Sequence, residues 1–217
     1  MNASPPGLVI FDCDGVLVDS EPIADRVFGR MLAEQGLALS GGEMAELFLG
    51  RTMAHCLGLA ADRLGRALPA NFQAEHDRRL FDALAAELVL VPGVTRVLEG
   101  LASPFCVASN GSPDKLRLSL ARVGLLPRFE GRLFSAAEVA RGKPAPDLFL
   151  HAASRMGVAP AACVVVEDSP AGVAAGVAAG MTVLGFAACT PAARLREAGA
   201  GQVFATMDEL PALLGAA

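Results

Sequence analysis

The chain has no run of lysine or arginine, no C-x-x-C pair and no basic-then-apolar leader pattern at its N-terminus. Each absence closes a class of function. Nucleic-acid binding calls for clustered basic residues, whereas this chain of 217 residues carries a formal net charge of −5, so no nucleic-acid partner is expected. The five cysteines (Cys13, Cys56, Cys106, Cys163, Cys189) are scattered without paired spacing, and three sit in apolar runs. They read as buried, reduced thiols. The opening Met1-Asn2-Ala3-Ser4-Pro5-Pro6-Gly7 offers no export signal, so a cytoplasmic location is expected. Lysine is scarce as well: of 18 basic residues only Lys115 and Lys143 are lysines.

Residues 169–193 lack charge altogether, a length that could span a bilayer. They are mostly alanine and glycine, with Pro170 and Pro191 near the ends and Gly180 dividing a small-residue helix from a short strand. No membrane association is expected. With 53% hydrophobic residues the chain is globular, of a size for one domain or a core with a modest insertion. A monomer is the default expectation.

Apolar runs that read as strands recur at Leu8–Phe11, Phe105–Ala108, Arg132–Phe134, Cys163–Val166, Met181–Leu184 and, weakly, Gln202–Phe204. Helical patterns near 93–101, 114–123, 146–157, 170–179 and 191–198 separate most of them. The alternation predicts an α/β fold, a Rossmann-like parallel sheet covered by helices on both faces. Between the first two strands only helical periodicity occurs. Residues 20–90 are therefore expected to form an inserted α-helical cap domain, with residues 1–19 and 91–217 as the catalytic core. In such sheets ligands sit beyond the carboxyl ends of the strands.

Each strand end carries polar chemistry. The first delivers Asp12 and Asp14 ahead of Gly15. Two carboxylates two residues apart at a strand end face the same way and repel, unless a cation or a reaction uses them. A Mg²⁺ ion bound by few carboxylates with substrate phosphate suits them, and so does a capped turn with solvated aspartates. The second strand ends in Ser109-Asn110-Gly111 before a helix, an anion cradle or an ordinary helix cap. Next comes Gly142-Lys143-Pro144, where a compact ammonium suits a phosphoryl group or a carboxylate cluster; a solvated loop lysine is the alternative. The fourth ends in Glu167-Asp168 ahead of Ser169-Pro170, acids that also satisfy a helix dipole. Gly172, Gly176 and Gly180 follow at intervals of four and read as close packing on the sheet. Four acids gathered without a cation would repel severely. Taken together, the ends read as metal-assisted phosphoryl chemistry.

With these four segments in order, the chain resembles the haloacid dehalogenase-like superfamily over essentially its whole length. Asp12-x-Asp14-Gly-Val is similar to the first motif, Ser109 to the second, Lys143 to the third and Glu167-Asp168 to the fourth. The helical insertion resembles the small-cap subgroup, which includes beta-phosphoglucomutase and sugar-phosphate phosphatases. The runs Cys106–Gly111 and Gly142–Asp147 look like those of bacterial 6-phosphogluconate-type phosphatases. The resemblance implies a Mg²⁺-dependent phosphatase acting on a small phosphorylated metabolite, a sugar or sugar-acid phosphate. It implies Asp12 as nucleophile, Asp14 as general acid and base, and Ser109, Asn110 and Gly111 as phosphoryl-binding. It implies Lys143 as the neutralising cation, and Asp12, the Asp14 carbonyl and Asp168 as metal ligands with Glu167 assisting.

Departures from the mutase pattern are visible. Ala24 stands where mutases carry a histidine, and Met53 and Ser112 align with the basic residues that hold a distal phosphate. Asp14 argues against metal-free dehalogenases, which lack a second aspartate. Arg51 can reach a substrate carboxylate or hydroxyl from the cap, or serve as an exposed structural arginine. Glu21, Thr52 and His55 are further cap candidates, His55 reading rather as a packed or surface residue. A hexose-phosphate mutase and a non-catalytic phosphometabolite-binding protein remain the alternatives.

Overall fold

Leu8–Phe11 is apolar at every position and lies on neither edge of its sheet, so all four side chains are buried. The computed structural model describes residues 5–48 and 51–215. Its strands are β1 (Leu8–Phe11), β2 (Phe105–Ser109), β3 (Leu133–Ser135), β4 (Cys163–Glu167), β5 (Thr182–Phe186) and β6 (Gln202–Phe204). Its α-helices are α1 (Glu21–Glu34), α2 (Gly41–Phe48), α3 (Met53–Leu64), α4 (Phe72–Glu87), α5 (Val94–Gly100), α6 (Pro113–Arg122), α7 (Asp147–Arg155), α8 (Pro170–Ala178), α9 (Ala192–Glu197) and α10 (Leu210–Leu213).

The six strands form one sheet in the order β3-β2-β1-β4-β5-β6, and every pair is parallel. The chain winds outward from β1 to β3, then returns to β4 on the other side of β1. This reversal leaves a crevice at the carboxyl end of β1. Alternate residues serve opposite faces. Leu8, Ile10, Cys106, Ala108, Val165 and Val183 pack against Leu148, Phe149 and Ala152 of α7 and Val173 and Ala175 of α8. On β2, Phe105 meets Phe11 and Phe129 edge-to-face, with centroids 6.5 and 5.2 Å apart. Because both faces are covered, the strands read as continuous apolar runs rather than alternating ones.

β2, β3, β4 and β5 end one or two residues past the apolar runs, whereas β1 and β6 keep the expected bounds. β2 and β4 take in Ser109 and Glu167, and β5 continues to Phe186 because Gly185 and Phe186 pair with Val203 and Phe204 of β6. Of the glycines spaced by four, Gly172 packs on the last residue of β4 and Gly176 on β5, where an added Cβ would lie 2.6 Å from Val183 Cγ2. Gly180, at φ +73°, ends the segment after α8 with open space around it. Among the described residues no helix is long and apolar enough to cross a membrane.

The chain divides into two compact units, Met1–Asp19 with Val89–Ala217, and Ser20–Leu88. The second junction falls two residues before the expected Val91. Val89 accepts a hydrogen bond from the Asp19 amide, Leu90 bridges Val18, and the Val91 amide donates to Leu17. These pairings hold Val89 and Leu90 to the segment after β1. The Ser20–Leu88 unit contains α1 to α4. α1 buries Ile23, Val27, Phe28, Met31 and Leu32 along one stripe, the spacing of an amphipathic helix. Phe28 is the hub, edge-on to Phe48, Phe72 and His76 at 5.1, 6.3 and 5.6 Å.

Candidate active site

The site is built where β1, β2 and β4 end. Asp12 follows β1 directly, and its amide donates to Val166 at 3.0 Å, which ties it to β4. The chain then coils back on itself: the amides of Leu17 and Val18 both donate to the Cys13 carbonyl. Gly15 takes φ +73° in this coil, and any side chain there would run into the Asp168 carboxylate. Only glycine accepts both the backbone conformation and the contact.

Lys143 lies at the centre. Its ammonium donates to Asp12 Oδ1 at 2.6 Å, Glu167 Oε1 at 2.6 Å and the Ala108 carbonyl at 2.8 Å, which uses all three donors. Its side chain is only 4% exposed, and the ammonium sits 4.8 Å over the Phe149 ring. Burial alone would lower its pKa, but Asp12 and Glu167 hold it above the usual lysine range. Asp12 responds oppositely. Burial pushes its carboxyl up to about 7, with Lys143 pulling down and Glu167 and Asp14 pushing up.

Asn110 positions the lysine loop. Its side chain donates to the Lys143 carbonyl at 3.1 Å and accepts from the Lys143 amide at 2.9 Å. Gly142 leaves room for this clamp, since a Cβ there would lie 2.7 Å from Asn110 Oδ1. The contact is made by the Asn110 side chain. Ser109 is buried, and its hydroxyl accepts from the Gly111 amide at 3.1 Å. Ser135 on β3 donates to the Gly111 carbonyl at 2.6 Å, which fixes the loop from the neighbouring strand. The loop leads into α6, capped by Ser112 with Pro113 in the first turn. This start of a helix favours anions.

Glu167 is fully buried. One of its oxygens meets Lys143, and the other accepts from the Ser169 amide at 3.0 Å and the Ser169 hydroxyl at 2.9 Å. Gly172, in the first turn of α8, is the residue that admits this carboxylate, because a Cβ there would overlap it. The glycine thus packs on the end of β4 and at the same time serves the site.

Asp12, Glu167 and Asp168 each offer a carboxylate oxygen within 4.8 Å of the others. These three carboxylates lie against one ammonium group, Lys143. The formal remainder of two negative charges is what one divalent cation neutralises. An all-oxygen donor set suits a hard cation such as Mg²⁺, so these residues fit the ion.

Lys115 was not singled out by its sequence context, although the scarcity of lysine applied to it equally. Its ammonium donates to Asp14 Oδ2 at 2.7 Å. Ser112, aligned with a distal phosphate ligand of mutases, is the helix cap, and its hydroxyl accepts from the Lys115 amide at 3.3 Å. In the other unit Arg51 is exposed on the turn before α3, with Nη1 2.9 Å from His55 Nε2. Thr52 caps α3 and Glu21 opens α1.

A haloacid dehalogenase-like hydrolase family model matches residues 6–180. The chain is 38% identical over 185 residues to 6-phosphogluconate phosphatase of Escherichia coli (strain K12), covering 83% of this chain and 82% of that protein. It superposes on a haloacid dehalogenase-like protein of unknown function from Agrobacterium tumefaciens with a TM-score of 0.90 at 41% identity, over 97% of this chain and 98% of that one. A hydrolase of the same family from Deinococcus radiodurans, solved with bound phosphate and sodium, gives a TM-score of 0.85 at 35% identity, over 99% and 97%. With most of its length matched at this identity, the chain belongs to the haloacid dehalogenase-like hydrolases.

Proposed function

We propose that the chain is a Mg²⁺-dependent phosphomonoesterase that hydrolyses a small phosphorylated metabolite, a sugar or sugar-acid phosphate. The observation that carries this reading is the convergence of Asp12, Glu167 and Asp168, the first two paired with a buried Lys143, beside the Ser109–Gly111 loop at a helix start. The similarity to 6-phosphogluconate phosphatase supports the substrate class, and the phosphate bound in the Deinococcus relative supports a phosphoryl ligand.

In this reading the phosphoryl group lies against the Ser109 hydroxyl, the loop amides and Lys143. An Asp12 oxygen attacks phosphorus, and the ester P–O bond breaks as the new one forms, giving an aspartyl-phosphate. Asp14 gives its proton to the departing alkoxide, then takes one from the water that attacks the intermediate. Inorganic phosphate leaves and Asp12 is restored. Asp12, the Asp14 carbonyl and Asp168 would hold Mg²⁺ with Glu167 in support, adding positive charge beside the phosphoryl oxygens. Selectivity is assigned to the helical unit, with Arg51 for a substrate carboxylate or hydroxyl.

The test is phosphate release from a panel that includes 6-phosphogluconate and hexose phosphates, run with Mg²⁺ and with EDTA. Release abolished by EDTA is expected. An isomerised hexose phosphate without net release would make the protein a mutase, and phosphate binding without turnover would make it a binding protein.

A further inference from the structure

Lys115 stands in the first turn of α6, a place where the helix dipole disfavours a cation. Here its stem crosses the Ser109–Gly111 loop. A Cβ built on Gly111 would lie 3.5 Å from Lys115 Cδ and 3.4 Å from Ser109 Oγ, so stem and hydroxyl flank the same glycine. The ammonium then ends 2.7 Å from Asp14 Oδ2, and the two side chains are only 28% and 23% exposed. The contact thus spans the anion loop and the second aspartate, 101 residues apart in sequence.

We propose that Lys115 is the positioning residue for Asp14, holding its carboxyl over the Ser109–Gly111 loop so that it meets the leaving-group oxygen of a bound phosphate ester. The proposal rests on the phosphomonoesterase reading above. Proton donation needs heavy atoms at about 3 Å, and the Lys115 contact at 2.7 Å engages Asp14 Oδ2, which leaves the other carboxyl oxygen to face the leaving group. An ammonium has three donors, so it can keep this contact while its stem stays on the loop. Arginine, with a longer planar fork, places its donors differently. The pair is partly exposed, so its value is geometric rather than stabilising.

The role predicts a dependence on the leaving group. A sugar alkoxide needs a proton to depart, whereas p-nitrophenolate leaves without one. kcat/KM reads the steps up to that departure, so the measurement is its ratio for an alkyl ester of the panel over p-nitrophenyl phosphate. K115M should lower this ratio by about tenfold or more, K115R should recover part of it, and D14N should lower it too. The double variant K115M/D14N should fall no further than D14N alone, since the lysine acts through the aspartate. Thermal midpoints of all variants guard against misfolding. An equal loss on both esters in K115M, or no loss on either, overturns the positioning role. So does a double variant that falls below D14N by the K115M factor, since the lysine would then act on the substrate directly. A wild-type protein that releases phosphate from neither ester overturns the phosphomonoesterase reading and this role with it.

Discussion

Ion pairs take two forms in the two units of this molecule. On the helical unit Arg78 pairs with Glu75 and Asp82, and Arg79 with Glu34 and Glu75, all between 31% and 66% exposed. At the sheet edge Lys143 pairs with Asp12 and Glu167, and the three side chains are 4%, 11% and 1% exposed. The first set lies in water, which screens it and asks little of its geometry. The second is removed from water, where each charge costs several kcal/mol unless paired and hydrogen-bonded. A fold keeps such a cluster at the end of its central strand when chemistry needs it.

The comparison breaks most readily at Asp12. Asp12→Asn should reduce phosphate release by about 10⁴-fold or more, in the range seen when a nucleophile is removed, with the circular dichroism spectrum unchanged. Equal activity in that variant would end the nucleophile assignment. Chelation comes next: EDTA should abolish turnover and added Mg²⁺ restore it, because the residual negative charge of the cluster then repels a phosphate ester.

Lys143→Met tests the buried pairing itself. Measured by urea unfolding in EDTA, it should cost about 3–5 kcal/mol, the penalty of leaving buried carboxylates without their partner. A loss near zero would place the lysine among the dispensable surface pairs. Gly172→Ala and Gly176→Ala separate site from scaffold. Both add a Cβ into contact, against Glu167 and Val183 respectively, and each should cost about 1–3 kcal/mol in overpacking. Only Gly172→Ala should also lower kcat, because only it displaces a site carboxylate. At the small end, Arg78→Ala should change neither activity nor thermal midpoint measurably, as expected of an exposed helix pair.

The sheet was legible because parallel strands buried on both faces are apolar at each position, as in Val164–Val166 and Leu8–Phe11. Strand ends were less so. Ser109 and Glu167 are polar, yet their backbones continue the ladder to Ser135 and Gly185. The acids, Ser109 and Lys143 could be named because each lies at the carboxyl end of a strand or in the loop beyond it, and topology carries strand ends to one edge. Lys115 and Gly172 sit inside helices, where local pattern gives the lysine no role and reads the glycine as packing. Their partners Asp14 and Glu167 become visible only once the helices are docked. Asn110 is a related case: its local context suggests a cap, and its side chain in fact clamps the Lys143 loop.

By itself the sequence determined the alternation of strands and helices, the helical insertion after β1 and the order of polar residues at the strand ends. These follow from local periodicity, which each segment carries within its own residues. Only the tertiary structure decided which charges neutralise one another: Lys143 with Asp12 and Glu167, Lys115 with Asp14. Those pairings join residues 24 to 131 positions apart. Pairing at 2.6–2.7 Å depends on how helices pack on the sheet, a geometry that no local pattern encodes.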